Sequence, residues 1–92
     1  KIYIPNTFSP NGDGINDEVI VVTNLPDDRL VSFEIYDRWG SLLYGQYSQI
    51  PLHWNGTVKG QDAQNGVYVY KLTWMDERAN LKVNTGDITL LR

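Results

Sequence analysis

The sequence of 92 residues predicts an all-β fold, an immunoglobulin-like antiparallel β-sandwich of about seven strands. Apolar residues alternate at a period of two, the spacing of side chains on one face of a strand, and no helical period of 3.6 is sustained. Turn dipeptides such as Asn11-Gly12 and Asn65-Gly66 interrupt the alternation every ten residues or so. Short strands separated by frequent turns are typical of a sandwich, although the chain has no cysteine and so lacks the Cys-Trp-Cys signature of antibody domains.

The predicted strands follow this pattern in order. The clearest is 67–75, where Tyr68, Tyr70 and Leu72 share one face, which we expect to be the buried one. The last strand, 81–91, is expected to have a bulge or bend near Gly86, because a glycine inside a strand often marks one. The predicted strands are 1–5, 18–23, 30–37, 41–44, 67–75 and 81–91, with a short edge segment ending at Trp54. The predicted turns and loops are 10–17, 24–28, 46–52, 55–65 and 76–80.

Composition excludes several classes of function. The net charge is −3, the pI is near 4.8, and lysines and arginines are scattered singly, so no basic stripe is available for nucleic acid. No apolar run approaches the roughly 20 residues that a membrane-spanning helix needs. The chain begins at Lys1 without a methionine or a leader, and we therefore expect it to be a fragment of a longer protein.

The segment from Asn11 to Glu18 is the sharpest local motif. The side chains of Asn11, Asp13 and Asp17 carry oxygens, the Ile15 carbonyl fills a middle position, and the intervening glycines permit a tight turn. This spacing resembles the Asp-x-Asp-Gly-x-x-Asp calcium loops of extracellular repeats, so the loop could bind calcium. The alternative is an Asx-turn loop that satisfies its own amides without metal.

The chain contains no convergent set of catalytic residues. A nucleophilic triad needs an imidazole, and the only histidine, His53, lies in a strand-like segment beside Trp54. The aspartates that could form a carboxylate pair lie in predicted turns, where acidic residues are expected in any case. We therefore predict that the protein is not an enzyme. Arg38, Trp39 and Gly40 follow a strand and are interpreted as a corner, with the guanidinium over an aromatic ring or on a carbonyl.

Five sequence blocks follow one another along the chain: IPNTFSPNGDGIND at 4–17, IYDRWG at 35–40, WNGT at 54–57, GVYVY at 66–70 and GDITLLR at 86–92. In this order and spacing they resemble the gliding-motility-associated C-terminal domain family, the type B sorting domain of the type IX secretion system in Bacteroidota. Asn55 stands where that family usually has aspartate. Within the five blocks, the residues expected to maintain the structure are Arg38, Trp39, Gly40, Trp54, Gly66, Tyr68 and Tyr70.

The resemblance implies a non-catalytic secretion signal at the C-terminus of a larger secreted protein, with residues 1–92 forming the whole sorting domain. The implied route runs through the periplasm to the cell surface or the medium, and the implied partners are the type IX translocon and a PorP/SprF-like outer-membrane protein. We expect no required cofactor, with calcium as a possible ligand of the loop described above. A sheet edge offers unpaired amides and carbonyls, so we expect strand addition or docking at the last strand. The residues expected to bind the partner are Gly86, Ile88, Thr89, Leu90 and Arg92.

Two other functions remain open. The same sandwich could be a passive immunoglobulin-like spacer that only holds another domain away from a surface. It could also be an adhesion or carbohydrate-binding module, which would need exposed aromatic side chains in a planar row. The candidates for such a row are Tyr36, Tyr44, Tyr47 and Trp39.

Overall fold

The computed structural model describes residues 1–14 and 16–92, and these residues form strands together with one 3-10 turn, Asp27–Arg29. The prediction of an all-β fold is confirmed. The strands are β1 Ile2–Tyr3, β2 Thr7–Phe8, β3 Val19–Ile20, β4 Val22–Thr23, β5 Leu30–Tyr36, β6 Leu42–Tyr47, β7 His53–Trp54, β8 Thr57–Val58, β9 Gln61–Asp62, β10 Gly66–Met75 and β11 Leu81–Leu90.

The main layer is a five-stranded sheet with the strand order β2-β11-β10-β5-β6. Its centre is the long β10–β11 hairpin, which is in continuous register from Gly66 opposite Leu90 to Met75 opposite Leu81. The predicted turn at 76–80 closes this hairpin, and Asp76 stabilises it by accepting hydrogen bonds from the backbone N–H groups of Arg78 and Asn80, both at 2.9 Å. β2 joins the sheet at the far side of β11, in parallel and over only two residues.

The second layer consists of short two-stranded pairs, β1 with β4, β3 with β7 and β8 with β9. Trp54 of β7 is fully buried between the layers, with its ring centroid 5.5 Å from that of Phe8 and 5.2 Å from that of Tyr68. Its indole N–H donates to the Thr57 carbonyl at 2.9 Å, so the polar atom is satisfied. The remaining core residues are Val19, Val21, Leu30, Phe33, Ile35, Leu52, Leu72, Ile88 and Leu90.

The N-terminal strands are shorter than predicted. Residues 1–5 were expected to form one strand, but only β1 forms there and pairs with β4, while β2, which lies beyond Pro5 and outside the predicted strand, pairs with β11. Proline cannot donate to a ladder, and the chain changes layer there. Segment 18–23 is likewise divided at Val21: β3 pairs with β7, the Val21 N–H extends that pairing by donating to the Leu52 carbonyl at 3.0 Å, and the chain then pairs with β1 as β4.

The predicted bulge at Gly86 is wrong, because the register of β10 and β11 does not shift there. Gly86 lies directly opposite Tyr70, and a β-carbon at Gly86 would lie 2.7 Å from a ring carbon of that tyrosine. The glycine therefore makes room for an aromatic ring that lies across the strand. Strand β6 extends to Tyr47, beyond the predicted 41–44, and the loop 55–65 contains the small β8–β9 hairpin.

Candidate functional site

The predicted recognition site lies on β11, at the edge of the main sheet that faces away from β10. The N–H groups of Thr89 and Leu91 donate to Asn6 and Phe8 at 2.8 and 3.0 Å, so odd-numbered residues direct their backbone groups away from β10. Backbone direction alternates along a strand, and the even-numbered residues therefore form the hydrogen-bonded pairs with β10. By the same alternation, Leu81, Val83, Thr85 and Asp87 point their N–H and C=O groups outward, beyond the reach of the two-residue β2.

The side chains along this open edge are exposed. Leu81 is 64% exposed and Val83 is 54% exposed, on the face of the sheet that points away from the core. Exposed apolar residues on a strand with unpaired backbone groups are uncommon in isolated domains, because such an edge pairs readily with another chain. We refer to Leu81–Asp87 as the open edge.

The structure gives different surroundings to the five residues expected to bind a partner. Ile88 and Leu90 are fully buried in the core, and Thr89 is paired with Thr7 of β2. Gly86 lies under the Tyr70 ring. Each of these four residues thus has a role in folding, and the accessible backbone groups of the last strand are those of Leu81, Val83, Thr85 and Asp87.

Arg92 is held by the loop 55–65. Its guanidinium donates to the carbonyls of Ala63 at 2.5 Å and Gly56 at 2.8 Å, and lies 3.6 Å from the Asp62 carboxylate. Its backbone N–H donates to Asn65 Oδ1 at 3.1 Å. The arginine side chain is 23% exposed, so it fixes the loop to the end of the last strand.

In the predicted calcium loop, Asp17 is the organising residue. Its Oδ1 accepts from the N–H groups of Asn11 and Gly12 at 3.1 and 3.0 Å, and its Oδ2 accepts from Gly14 N–H at 2.7 Å. Asn11 Oδ1 accepts from Asp13 N–H at 3.2 Å, which is an Asx turn. Ile15, the fourth predicted ligand, lies outside the described residues. Calcium binding stays a prediction, and a calcium ion would have to share oxygens that already accept backbone hydrogen bonds.

Among the described residues, no three histidine or acidic side chains gather closely enough to hold a metal ion. His53, on β7, pairs with Glu18, with 2.5 Å between Nδ1 and Oε1, and both side chains are partly exposed. The contact ties the start of β3 to β7, whose residues pair directly.

The predicted corner at 38–40 is the turn between β5 and β6. Asp37 Oδ1 accepts from the N–H groups of Trp39 and Ser41, both at 2.9 Å, and Gly40 has the positive φ of +88° that this turn requires. The Arg38 guanidinium lies 5.8 Å from the centroid of the Trp39 ring, as a cation–π contact. Trp39 itself is 84% exposed. The turn is therefore rigid and presents a large aromatic side chain to solvent.

The other structural residues lie where the pattern predicted. Tyr68 is buried, and its hydroxyl donates to the Gln64 carbonyl at 2.6 Å, which closes the loop before β10. Tyr70 packs against Phe33 with 6.1 Å between ring centroids. Gly66 begins β10 with a φ of +155°, in the region that favours glycine.

The four aromatic candidates for a carbohydrate platform do not form one row. Tyr44 packs against the core from β6. Tyr36 and Tyr47 flank Glu34 on the outer face, and their hydroxyls donate to its two carboxylate oxygens at 2.8 and 2.7 Å. The Tyr47 hydrogen bond holds the pKa of Glu34 below its usual value, and the Tyr36 bond and the charge of Lys71 act in the same direction against burial. The same bonds to Glu34 raise the pKa values of Tyr36 and Tyr47.

Sequence reasoning predicted docking at the edge of the last strand, 81–91, but placed the binding residues at its C-terminal end, and it missed the Tyr-Glu-Tyr cluster. The alternation of 81–87 could have indicated the edge, since Leu81 and Val83 fall on the face opposite Ile88 and Leu90. No local pattern could have indicated the cluster, because Tyr47 lies on a different strand from Glu34.

Residues 2–90 match the family model described as the CHU_C type IX secretion signal domain. The chain belongs to this family. The CHU_C domain is thereby a sorting signal of type IX secretion, and its export to the cell surface or medium and its interaction with the secretion system follow from that role. The family is defined by a secretion signal and not by a catalytic activity.

One solved structure similar to the CHU_C domain is that of PorZ, described as an essential bacterial surface component of the type-IX secretion system of Porphyromonas gingivalis. The TM-score is 0.62 at 23% identity, over 99% of this chain and 11% of PorZ. The likeness therefore concerns the fold alone, and it involves only a small part of PorZ. None of the curated proteins matches the chain. Within the described part of the CHU_C domain, no helix is long and apolar enough to cross a membrane.

Proposed function

We propose that the domain takes its parent protein from the periplasm through the type IX outer-membrane translocon, and that a PorP/SprF-like outer-membrane protein recognises it. The signal is a folded surface and not a linear tag. The family match over residues 2–90 supports the sorting role, and the closed core supports recognition of the folded state.

The observation that carries the mechanism is the open edge Leu81–Asp87. Four residues in this segment direct both backbone groups outward, and β2 covers only the end of the strand at Thr89 and Leu90. An extended segment of the recognising protein can add here as a further strand, since main-chain hydrogen bonds give affinity and alternate side chains give specificity. Leu81 and Val83 supply exposed apolar contacts for such a strand.

The sorting role is tested with a reporter protein fused in front of the 92-residue domain and expressed in a bacterium that has the type IX system. We expect the reporter at the cell surface or in the medium, and in the periplasm when the domain is omitted. A passive spacer predicts the opposite for the first fusion, because it would leave the reporter in the periplasm. Loss of the PorP/SprF-like protein alone should also stop export, and unchanged export would reject that partner.

The recognition edge is tested by the double variant Leu81→Lys and Val83→Lys in the same fusion. Lysines on an edge strand oppose the addition of another strand, and both side chains are already exposed, so the domain should remain folded. Leu42→Lys on β6, the opposite edge of the sheet, is the matched control because Leu42 is exposed to a similar degree. Export should fall for the double variant only, and equal export from both would rule out the open edge.

Removing 88–92 would delete most of the residues that the sequence predicts to bind the partner, but it is a poor test of recognition. Ile88 and Leu90 are fully buried, so their removal opens the core. A loss of export would then report unfolding. Arg92→Ala, Arg92→Lys and Thr89→Ala in the fusion test side chains of that segment that lie outside the core, and normal export of all three would exclude Arg92 and Thr89 from recognition.

A further inference from the structure

A second surface of the domain is a groove between the β5–β6 turn and the segment 62–67. It has a volume of about 680 Å³, within the range of roughly 300–1,000 Å³ that is ordinary for a small-ligand site. We refer to it as the Trp39 groove. Its apolar lining comes from Leu43, Val58 and Val67, and its polar lining from the turn and from 62–65.

The turn side of the groove is held in place before any ligand arrives. Besides the two bonds to its side chain, Asp37 accepts from Gly40 N–H through its carbonyl at 3.1 Å, and its own N–H donates to the Ser41 carbonyl at 3.0 Å. Trp39 therefore stands on a fixed backbone with 84% of its surface exposed. A tryptophan side chain has only two rotatable bonds, so it loses little conformational entropy when a ligand covers it.

The opposite side of the groove is held by Arg92, which is not itself part of the lining. Its guanidinium bonds to Gly56 and Ala63, and its backbone N–H to Asn65. Gly56 has a φ of +84°, and a β-carbon there would lie 3.2 Å from Arg92 Nη2 and 3.1 Å from Pro10, so the arginine fits closely against the loop. Arg92 is thus a positioning residue for 62–65.

The chemistry of the lining favours a ligand rich in hydroxyl groups. Carboxylate oxygens of Asp62 accept hydrogen bonds, the Arg38 guanidinium donates, and the Gln64 amide does both. A sugar hydroxyl both donates and accepts, and the C–H face of a sugar ring carries partial positive charge that suits the negative face of an indole. Asp37 and Asp62 face the cation Arg38 in the lining, and Arg92 lies 3.6 Å from Asp62, so the groove has no excess of positive charge that would favour an acidic ligand.

We propose that the Trp39 groove binds an uncharged oligosaccharide, with Trp39 stacking on a sugar ring and Arg38, Asp62 and Gln64 bonding its hydroxyls. This binding is separate from sorting and uses a different surface from the open edge.

The test titrates the 92-residue chain with soluble neutral hexasaccharides built from β-1,4-glucose, α-1,4-glucose, β-1,3-glucose, β-1,4-xylose, β-1,4-mannose and β-1,4-N-acetylglucosamine, and with oligogalacturonate as an acidic comparison. Tryptophan fluorescence and calorimetry measure binding. We expect saturable binding of at least one neutral hexasaccharide, with a change in the emission of the exposed tryptophan. Trp39→Ala should weaken binding by about tenfold or more.

Two further variants separate the groove from the fold. Tyr47→Ala removes an exposed aromatic side chain away from the groove and should leave the affinity unchanged. Arg92→Ala should weaken binding without contacting the sugar, and Arg92→Lys should restore part of it, since the ammonium can reach only some of the same carbonyls.

The proposal is overturned by no binding of any neutral hexasaccharide, by binding that Trp39→Ala does not change, or by a preference for oligogalacturonate. The Trp39→Ala variant should be exported normally in the reporter fusion. A loss of its export without any saccharide binding would assign the groove to the secretion apparatus and reject a saccharide site. Failure of the sorting role itself would leave the titration results unaffected.

Discussion

Two proline substitutions at neighbouring positions of β11 test the direction of its backbone groups. Val83 directs its N–H outward, whereas Asn84 pairs with Leu72 of β10 and its Oδ1 accepts from the Trp74 indole N–H at 3.0 Å. Proline has no N–H, so at an outward position it removes no ladder bond, and edge strands tolerate it there. Val83→Pro should therefore leave the sheet intact, while Asn84→Pro breaks the ladder.

The magnitudes follow from the groups that lose partners. Asn84→Pro leaves the Leu72 carbonyl and the Trp74 indole N–H without their bonds, and each unsatisfied group costs about 1–3 kcal/mol. The free energy of unfolding of this variant should therefore fall by about 2–6 kcal/mol. Val83→Pro loses only strand propensity and partly exposed contacts, a cost of about 1 kcal/mol. A stability of 5–15 kcal/mol is typical for a domain, so Asn84→Pro approaches complete unfolding.

Urea unfolding followed by circular dichroism measures both variants, and a constant m value shows that the midpoints report stability. Equal losses, or a larger loss for Val83→Pro, would mean that the assignment of outward groups to odd-numbered residues is wrong. In the reporter fusion, Val83→Pro should stop export while the domain remains folded, because the open edge loses the Val83 N–H, the donor at its centre to which an added strand would bind. Export at the normal level from a folded Val83→Pro domain would contradict strand addition at this edge.

Three further predictions concern stability. Trp54→Ala should lower the free energy of unfolding by about 3–5 kcal/mol, because Trp54 is fully buried. Trp39→Ala should change it by less than about 0.5 kcal/mol, because Trp39 is exposed. Similar losses for the two variants in urea unfolding would contradict this difference in burial. The Glu34 pKa is lowered in the folded state, so its stabilisation is present above the unfolded pKa near 4.5 and is lost as the pH falls through the folded value. Glu34→Gln should therefore flatten the acid side of a plot of melting temperature against pH, and an unchanged slope would show that the cluster is not stabilising. Gly86→Ala should cost about 1–3 kcal/mol because the Tyr70 ring must move, and much less in a Tyr70→Val background; the same cost in both backgrounds would exclude that contact.

Local patterns predicted the elements that depend on few neighbours. The pattern predicts the strand 67–75 and its inward face because Tyr68, Tyr70 and Leu72 follow one another at a period of two. The turn predicted at 76–80 is confirmed, and the structure adds that Asp76 accepts two of its backbone hydrogen bonds. The strand pairs of the second layer are harder to predict from the sequence, because strands of two residues carry almost no periodic signal. The short strands end at Pro5 and at the buried Val21, where the chain changes from one partner strand to another. Their bounds therefore depend on strands that are distant in the sequence.

The sequence by itself determined that this protein is an all-β domain of the type IX sorting family, because strand alternation, turn dipeptides and the five motif blocks are all local features. Tertiary structure alone decided which end of the last strand is open, since β2 pairs with Thr89 and Leu90, and no other strand of the described residues pairs with the outer side of Leu81–Asp87. It also decided the role of Gly86: the absence of a side chain there leaves room for the Tyr70 ring on the adjacent strand, and the strand does not bend. The physical reason is that backbone pairing and side-chain space depend on residues far apart in the sequence, whereas period and turn chemistry depend on residues that are adjacent.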